Sequence, residues 1–205
     1  QEQKIIEGAV RTALTRDVWE SINATWNELA QVKPSSMTAD RLPVFLEWVK
    51  QRVMSFRGAL LGTMLRNDTY HFSQLGNFIE RADNTARILD VKYFILLPKA
   101  TDVGSDIDMQ QWAQILRSVS GHRSYRWFYR DSHYRPWLIS EFLILREEMP
   151  RSLIFSYGWI NRGLKGLADH YGATYDCHRQ ASETHERLRN GRMDDIFQSG
   201  LHEFL

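Results

Sequence analysis

The sequence predicts an all-α fold, a single antiparallel bundle of eight or nine helices. Three observations carry that expectation. Apolar residues recur at three- and four-residue steps almost throughout, strand-like alternation is nearly absent, and only 5 prolines interrupt 205 residues.

A first amphipathic piece is expected over residues 2–14. Thr15 is placed to cap a second, in which Trp19, Ile22, Trp26 and Leu29 form one stripe. The segment "KPSSMTAD" breaks the pattern. Pro43 then suits the first turn of a helix that carries Leu42, Leu46, Val49, Val53, Phe56 and Leu60 to about Arg66, because a proline there forfeits no hydrogen bond. Asn67 and Asp68 can cap a long helix ended by Pro98, and "KATDVGSDID" reads as a surface loop. Ser105 or Asp106 should cap "DMQQWAQILRSVS", with Gly121 as its left-handed stop. An aromatic-rich segment, His122 to Tyr129, precedes helices near 136–147, 150–170 and 174–190, and "MDDIFQSGLHEFL" closes the chain. With no internal repeat, low-complexity tract or linker in view, residues 1–205 read as one domain.

Apolar residues at 43% and aromatics at 12% suffice for a real core. Lys plus Arg (26) nearly balance Asp plus Glu (25), so no general basic field would hold the chain to nucleic acid or to an anionic membrane. The single Cys177 cannot close an internal disulfide, and no apolar run approaches the roughly 20 residues of a membrane span, so a cytosolic protein is expected. The chain opens "QEQKII" without Met, which points to a piece of a longer translation product, truncated at its N-terminus.

The stretch "LGNFIERADNTARILDVKYF" concentrates the charge. Phe72, Leu75, Ile79, Ala82, Ala86, Leu89 and Tyr93 follow steps of three and four and read as the core seam. Gly76, Glu80, Asp83, Arg87 and Asp90 form a second stripe about a quarter-turn away, where charges are expected to be partly buried. Two readings compete. In the structural one, Asp83–Arg87 (i,i+4) and Arg87–Asp90 (i,i+3) are ion pairs that fix how helices meet. In the functional one, crowded carboxylates acquire separated pKa values and work as acid and base or hold a ligand.

Several chemistries lack their residues. No Glu is followed three positions later by His, so a di-metal carboxylate bundle is not encoded; His185–Glu186 and His202–Glu203 do not continue into H-E-x-x-H; "GWINRGLKG" misses the phosphate-loop pattern. No metal site and no cofactor is therefore expected. Adjacent Cys177 and His178 should point apart on a helix, which argues against a thiol–imidazole pair. One further constellation, "GHRSYRWFYRDSHYRPW", sets Arg123, Arg126, Arg130 and Arg135 against one Asp131 among six aromatics, with Arg123, Arg126 and Arg130 on one helical face. It could clasp a carboxylate or phosphate of a small or peptidic substrate; nucleic acid is disfavoured on a near-neutral chain. The bland alternative is that the aromatics fill the core and the arginines reach out to water.

At these residues the chain resembles a known family. "HFSQLGNFIERADNTARILDVKYFILLP" is similar to the signature of the bacterial alpha-E domain proteins, and "QWAQILRSVS", "YRWFYR", "EFLILREEMPRSL" and "GLHEFL" resemble its later blocks in order, over nearly the whole chain. The resemblance implies a helical protein without an assigned biochemical activity, encoded beside or fused to a circularly permuted ATP-grasp ligase and a transglutaminase-like peptidase, hence a role in peptide or amide metabolism. It also implies an earlier copy of the Glu-Arg string that is missing here, and so self-association or pairing with the lost segment. By motif the recurring glutamate falls on Glu80. The candidate binding residues are then Glu80, Asp83, Arg87 and Asp90, with Arg117, Arg126 and Arg146 as cationic partners; Arg81 and Asn84 should point outward. The expected function is an accessory module that binds substrate or partner. The alternative is an enzyme using Glu80 or Asp83 in acid–base chemistry.

Overall fold

The computed structural model describes residues 11–94, 105–130 and 133–205. Among them every regular element is helical and no strand occurs, as the periodicity predicts. Most of the first expected helix, the Pro98 stop and most of the loop after it lie outside the described residues, as does the side chain of Tyr93. The chain forms two compact units, Gln1–Tyr70 and His71–Leu205.

In the first unit α1 (Arg16–Leu29) and α2 (Leu42–Thr63) pair, joined through a 3-10 turn at Pro34–Ser36. Thr15 stands at the N-cap of α1, but its hydroxyl bonds Thr63 Oγ1 at 2.6 Å instead of an α1 amide, tying the start of one helix to the end of the other. Pro43 occupies the first turn of α2. Val18, Leu60, Met64 and Tyr70 are buried here. Glu28 accepts from Trp48 Nε1 at 2.7 Å and from Arg52; the Arg52 bond and then the Trp48 bond hold its carboxyl below the usual range. The stripes expected to face inward do so only in part: Ile22, Trp26, Leu29, Leu42, Leu46 and Val53 are exposed.

The second unit contains most of α3 (Asp68–Phe94), then α4 (Asp106–Ser118), α5 (His122–Tyr129), α6 (Pro136–Ile144), α7 (Leu153–Tyr171), α8 (Asp176–Asn190), α9 (Met193–Ser199) and α10 (Leu201–Phe204). Side-chain caps set several starts: Asn67 Oδ1 accepts from Tyr70 N, Ser105 from Asp108 N, Ser152 from Phe155 N. At the end of α4 the left-handed residue is Ser120 (φ 56°), not Gly121 (φ −92°). At Gly121 space is tight, since a Cβ there would stand 3.1 Å from Met149 Cε and 3.3 Å from Val119 Cγ2. Leu89, Leu116, Tyr125, Ile139, Phe142 and Leu143 centre the main core.

The buried face of α3 differs from the expected seam. Leu75, Phe78, Ala82, Thr85, Leu89 and Lys92 are buried, while Phe72 (57% exposed) and Ile79 (55%) face water. At 100° per residue the buried line is turned by roughly 60° from the apolar stripe. Polar partners on other elements cause the turn: Thr85 Oγ1 donates to Arg151 O at 2.8 Å, and Lys92 Nζ to Asp108 Oδ1 at 2.6 Å.

α7 and α8 form a hairpin behind Gly172 (φ 64°), and the glycine-rich "GWINRGLKG" lies in α7. Gly163 and Gly166 notch that helix for α3. A Cβ at Gly163 would stand 3.1 Å from Leu75, and one at Gly166 would run into the His71 imidazole. Gly166→Val should therefore destabilise the protein by about 1–3 kcal/mol through overpacking, despite the better helix propensity of Val. Urea unfolding measures it; an unchanged midpoint would show that the His71 ring simply swings aside.

Candidate functional site

The turn of α3 decides where its charged stripe goes. Measured from the buried line, Glu80 and Arg87 lie nearly opposite it, not a quarter-turn away. Glu80 is exposed, and the Asp83 and Arg87 side chains are 52% and 73% exposed. The expectation of partly buried charges on this ridge fails for all three, for the same reason the seam was misplaced. Asp83 and Arg87 do form the i,i+4 pair, at 2.7 Å, and the hydrogen bond to Asp83 raises the Arg87 pKa. Asp90 does not complete an i,i+3 pair with Arg87. His202 Nδ1 takes it instead at 2.7 Å, tying α10 to α3.

The other side of the same motif is structural. Arg81, expected to point outward, reaches Pro150 O with Nη1 at 2.9 Å while its guanidinium lies 4.9 Å over the Phe78 ring. One turn on, Thr85 bonds Arg151 O. The string "ERADNTAR" thus holds the "MPRS" turn with Arg81 and Thr85 and presents Glu80, Asp83 and Arg87 to solvent.

Asp83 borders a cleft of about 270 Å³. Ile79, Ala82 and Ala86 of α3, Tyr157 and Ile160 of α7, Thr184, Arg187 and Leu188 of α8, and Phe204 line it as well. Arg187 is placed by Phe204, whose ring its guanidinium covers at 5.0 Å and whose carbonyl accepts from Nη2 at 3.5 Å. Most of the lining is apolar, and its polar side chains are the Asp83 carboxylate, the Arg187 guanidinium and the Tyr157 and Thr184 hydroxyls. Sequence reading missed Thr184 and Arg187, since nothing local relates α8 to the Glu-Arg string.

Arg117, Arg126 and Arg146 do not line this cleft. Arg117 borders an open hollow of about 540 Å³ with Gln110, Gln114 and Tyr134. Arg126 is exposed on α5. Arg146 bonds Glu141 at 2.6 Å and lies 5.3 Å over Phe128, and Tyr129 donates to the other Glu141 oxygen at 2.9 Å. Burial pushes the Tyr129 hydroxyl far above its usual range, helped by Glu141 and opposed by Arg146. For Arg146 burial works against the charge, and the contacts with Tyr129 and Glu141 outweigh it, so its pKa is raised.

Cys177 and His178 do approach, contrary to the expectation from their adjacency: Sγ lies 3.6 Å from Nδ1. The imidazole is engaged in capping, with Nδ1 accepting from Tyr175 N at 3.0 Å and Nε2–H donating to Leu164 O at 3.2 Å. Among the described residues no three His, Cys, Asp or Glu side chains group as metal ligands, and no helix is long and apolar enough to cross a membrane.

A family model described as a predicted alpha-helical domain with a conserved ER motif matches residues 6–205. No curated protein and no solved structure matches the chain.

Proposed function

The chain belongs to the Alpha-E family, and from that premise we propose that it is a binding module, accessory to an ATP-grasp amide ligase and a transglutaminase-like peptidase, that holds a peptide-like ligand at the Asp83–Arg187 cleft. One observation carries the reading: Asp83 of the motif helix and Arg187 of α8 line one mainly apolar cleft. An amide chain has the matching groups, N–H donors for Asp83 and carbonyls for Arg187. At about 270 Å³ the space falls just below the roughly 300–1,000 Å³ of pockets that enclose whole small molecules, and suits one apolar side chain of a longer ligand. The two protein partners come from the family resemblance.

The exposure of the motif carboxylates favours holding over catalysis. Glu80 and Asp83 stand in water, and Asp83 is occupied by Arg87.

The test is pull-down and turnover with the ATP-grasp ligase that the family resemblance implies as partner. Association is expected, with ligase turnover on an amide-forming substrate raised by the chain. The double substitution Asp83→Ala, Arg187→Ala should weaken association or raise the substrate KM roughly tenfold or more at an unchanged melting temperature. No association, together with identical ligase turnover in the presence and absence of the chain, overturns the proposal.

A further inference from the structure

The outer face of α5 gathers exposed basic and aromatic side chains, none of which lines the cleft at Asp83. At 100° per residue Arg123, Arg126 and Trp127 fall within about 100° of the helix circumference, and Arg130 follows as the left-handed C-cap of the same helix (φ 51°). All four are exposed, Trp127 at 81%. The inward face of α5 is already filled by the fully buried Tyr125, which packs edge-on against Phe142 with centroids 5.9 Å apart. Trp127 therefore adds nothing to the core. Among the described residues none of the three arginines is ion-paired.

Beside Trp127 opens a cleft of about 360 Å³, bounded by Arg123, Phe128, Phe142 and Glu148. We propose that this face docks an acidic peptide segment, with its carboxylates on Arg123, Arg126 and Arg130 and one apolar side chain in the cleft against Phe128 and Phe142. Three exposed cations on α5 and its C-cap, on a near-neutral chain, set the sign of the occupant by charge complementarity. The wall of the cleft fixes its class. Glu148 asks for a hydrogen-bond donor; a peptide backbone supplies N–H groups, whereas a phosphodiester chain or a layer of anionic lipid sets phosphate oxygens against that carboxylate. An exposed Trp flanked by arginines is also the composition in which interface binding energy concentrates.

Fluorescence anisotropy of a labelled peptide of about twelve residues, built from Glu, Asp and Leu, tests this at 0.15 M salt with the full chain. Binding is expected, with at least roughly tenfold weaker binding by Trp127→Ala and by Arg126→Glu, at melting temperatures equal to the parent because both side chains are in water. The same peptide with Gln and Asn in place of the acids should not bind. The proposal is overturned if the folded chain fails to bind at this salt concentration or if either variant binds as well as the parent. It is also overturned if single-stranded RNA of similar length, or phosphatidylserine vesicles, bind more tightly than the peptide.

Discussion

Replacing Lys92 by Met is expected to cost about 3–5 kcal/mol of folding stability, the range for breaking a buried ion pair by removing one partner. Lys92 is 2% exposed and Asp108 3%. The ammonium gives two hydrogen bonds, to Asp108 Oδ1 at 2.6 Å and Gln111 Oε1 at 2.8 Å, and lies 5.4 Å over the Trp112 ring. Met reproduces the length of the stem and much of its packing. The loss is therefore mainly electrostatic, a carboxylate held out of water at the start of α4. The double variant Lys92→Met, Asp108→Leu removes both charges and should recover most of the loss, since apolar replacement of a whole buried pair is often neutral or better. Urea unfolding of the two single variants and the double gives the coupling directly. A single-variant cost under about 1 kcal/mol, unchanged in the double, would mean that water reaches the pair.

That pair also shows where sequence reading stops. The helical class and several helix starts were legible because they rest on local chemistry: Asn67 and Ser105 accept from amides three residues on, and Pro43 sits where no amide hydrogen is needed. The Asp83–Arg87 pair was legible for the same reason, its partners being one turn apart. The orientation of α3 was not. Apolar counting preferred Phe72 and Ile79, while the fold buries Thr85 and Lys92, whose partners Arg151 and Asp108 lie 66 and 16 residues away. A polar residue with a distant partner looks like a surface residue in a hydrophobic pattern. The Asp90–His202 contact spans 112 positions and leaves no local signal either.

The motif helix can be understood as two devices on one rod. Arg81 and Thr85 reach the carbonyls of Pro150 and Arg151 and so fix the turn before α7, whose residues Tyr157 and Ile160 line the cleft. Asp83, between them in sequence but turned toward solvent, meets that cleft at its rim. The recurrence of such a string therefore does not by itself mark catalysis. Part of it fastens the turn at Pro150 and Arg151, and part borders the cleft or faces solvent.

Phe142→Ala should cost about 3–5 kcal/mol, at the upper end of what large-to-small core changes cost, because its surroundings are fastened. The ring is 2% exposed and packs against Tyr125, Phe128 and Tyr129 with centroids 5.9, 5.8 and 6.0 Å away. Collapse into the vacated space would have to move those rings. Tyr125 is held by a hydrogen bond from its hydroxyl to His133 O and one from Arg135 N, both at 3.3 Å, and Tyr129 by Glu141. Phe128 lies under the Arg146 guanidinium. Each shift would give up a polar contact along with the dispersion already lost. Phe142→Leu keeps most of the volume and should cost less than about 1.5 kcal/mol. Denaturant unfolding of both variants decides the point. If Ala costs no more than Leu, the aromatic neighbours relax freely, and the rigid floor that the α5 docking cleft requires is not there.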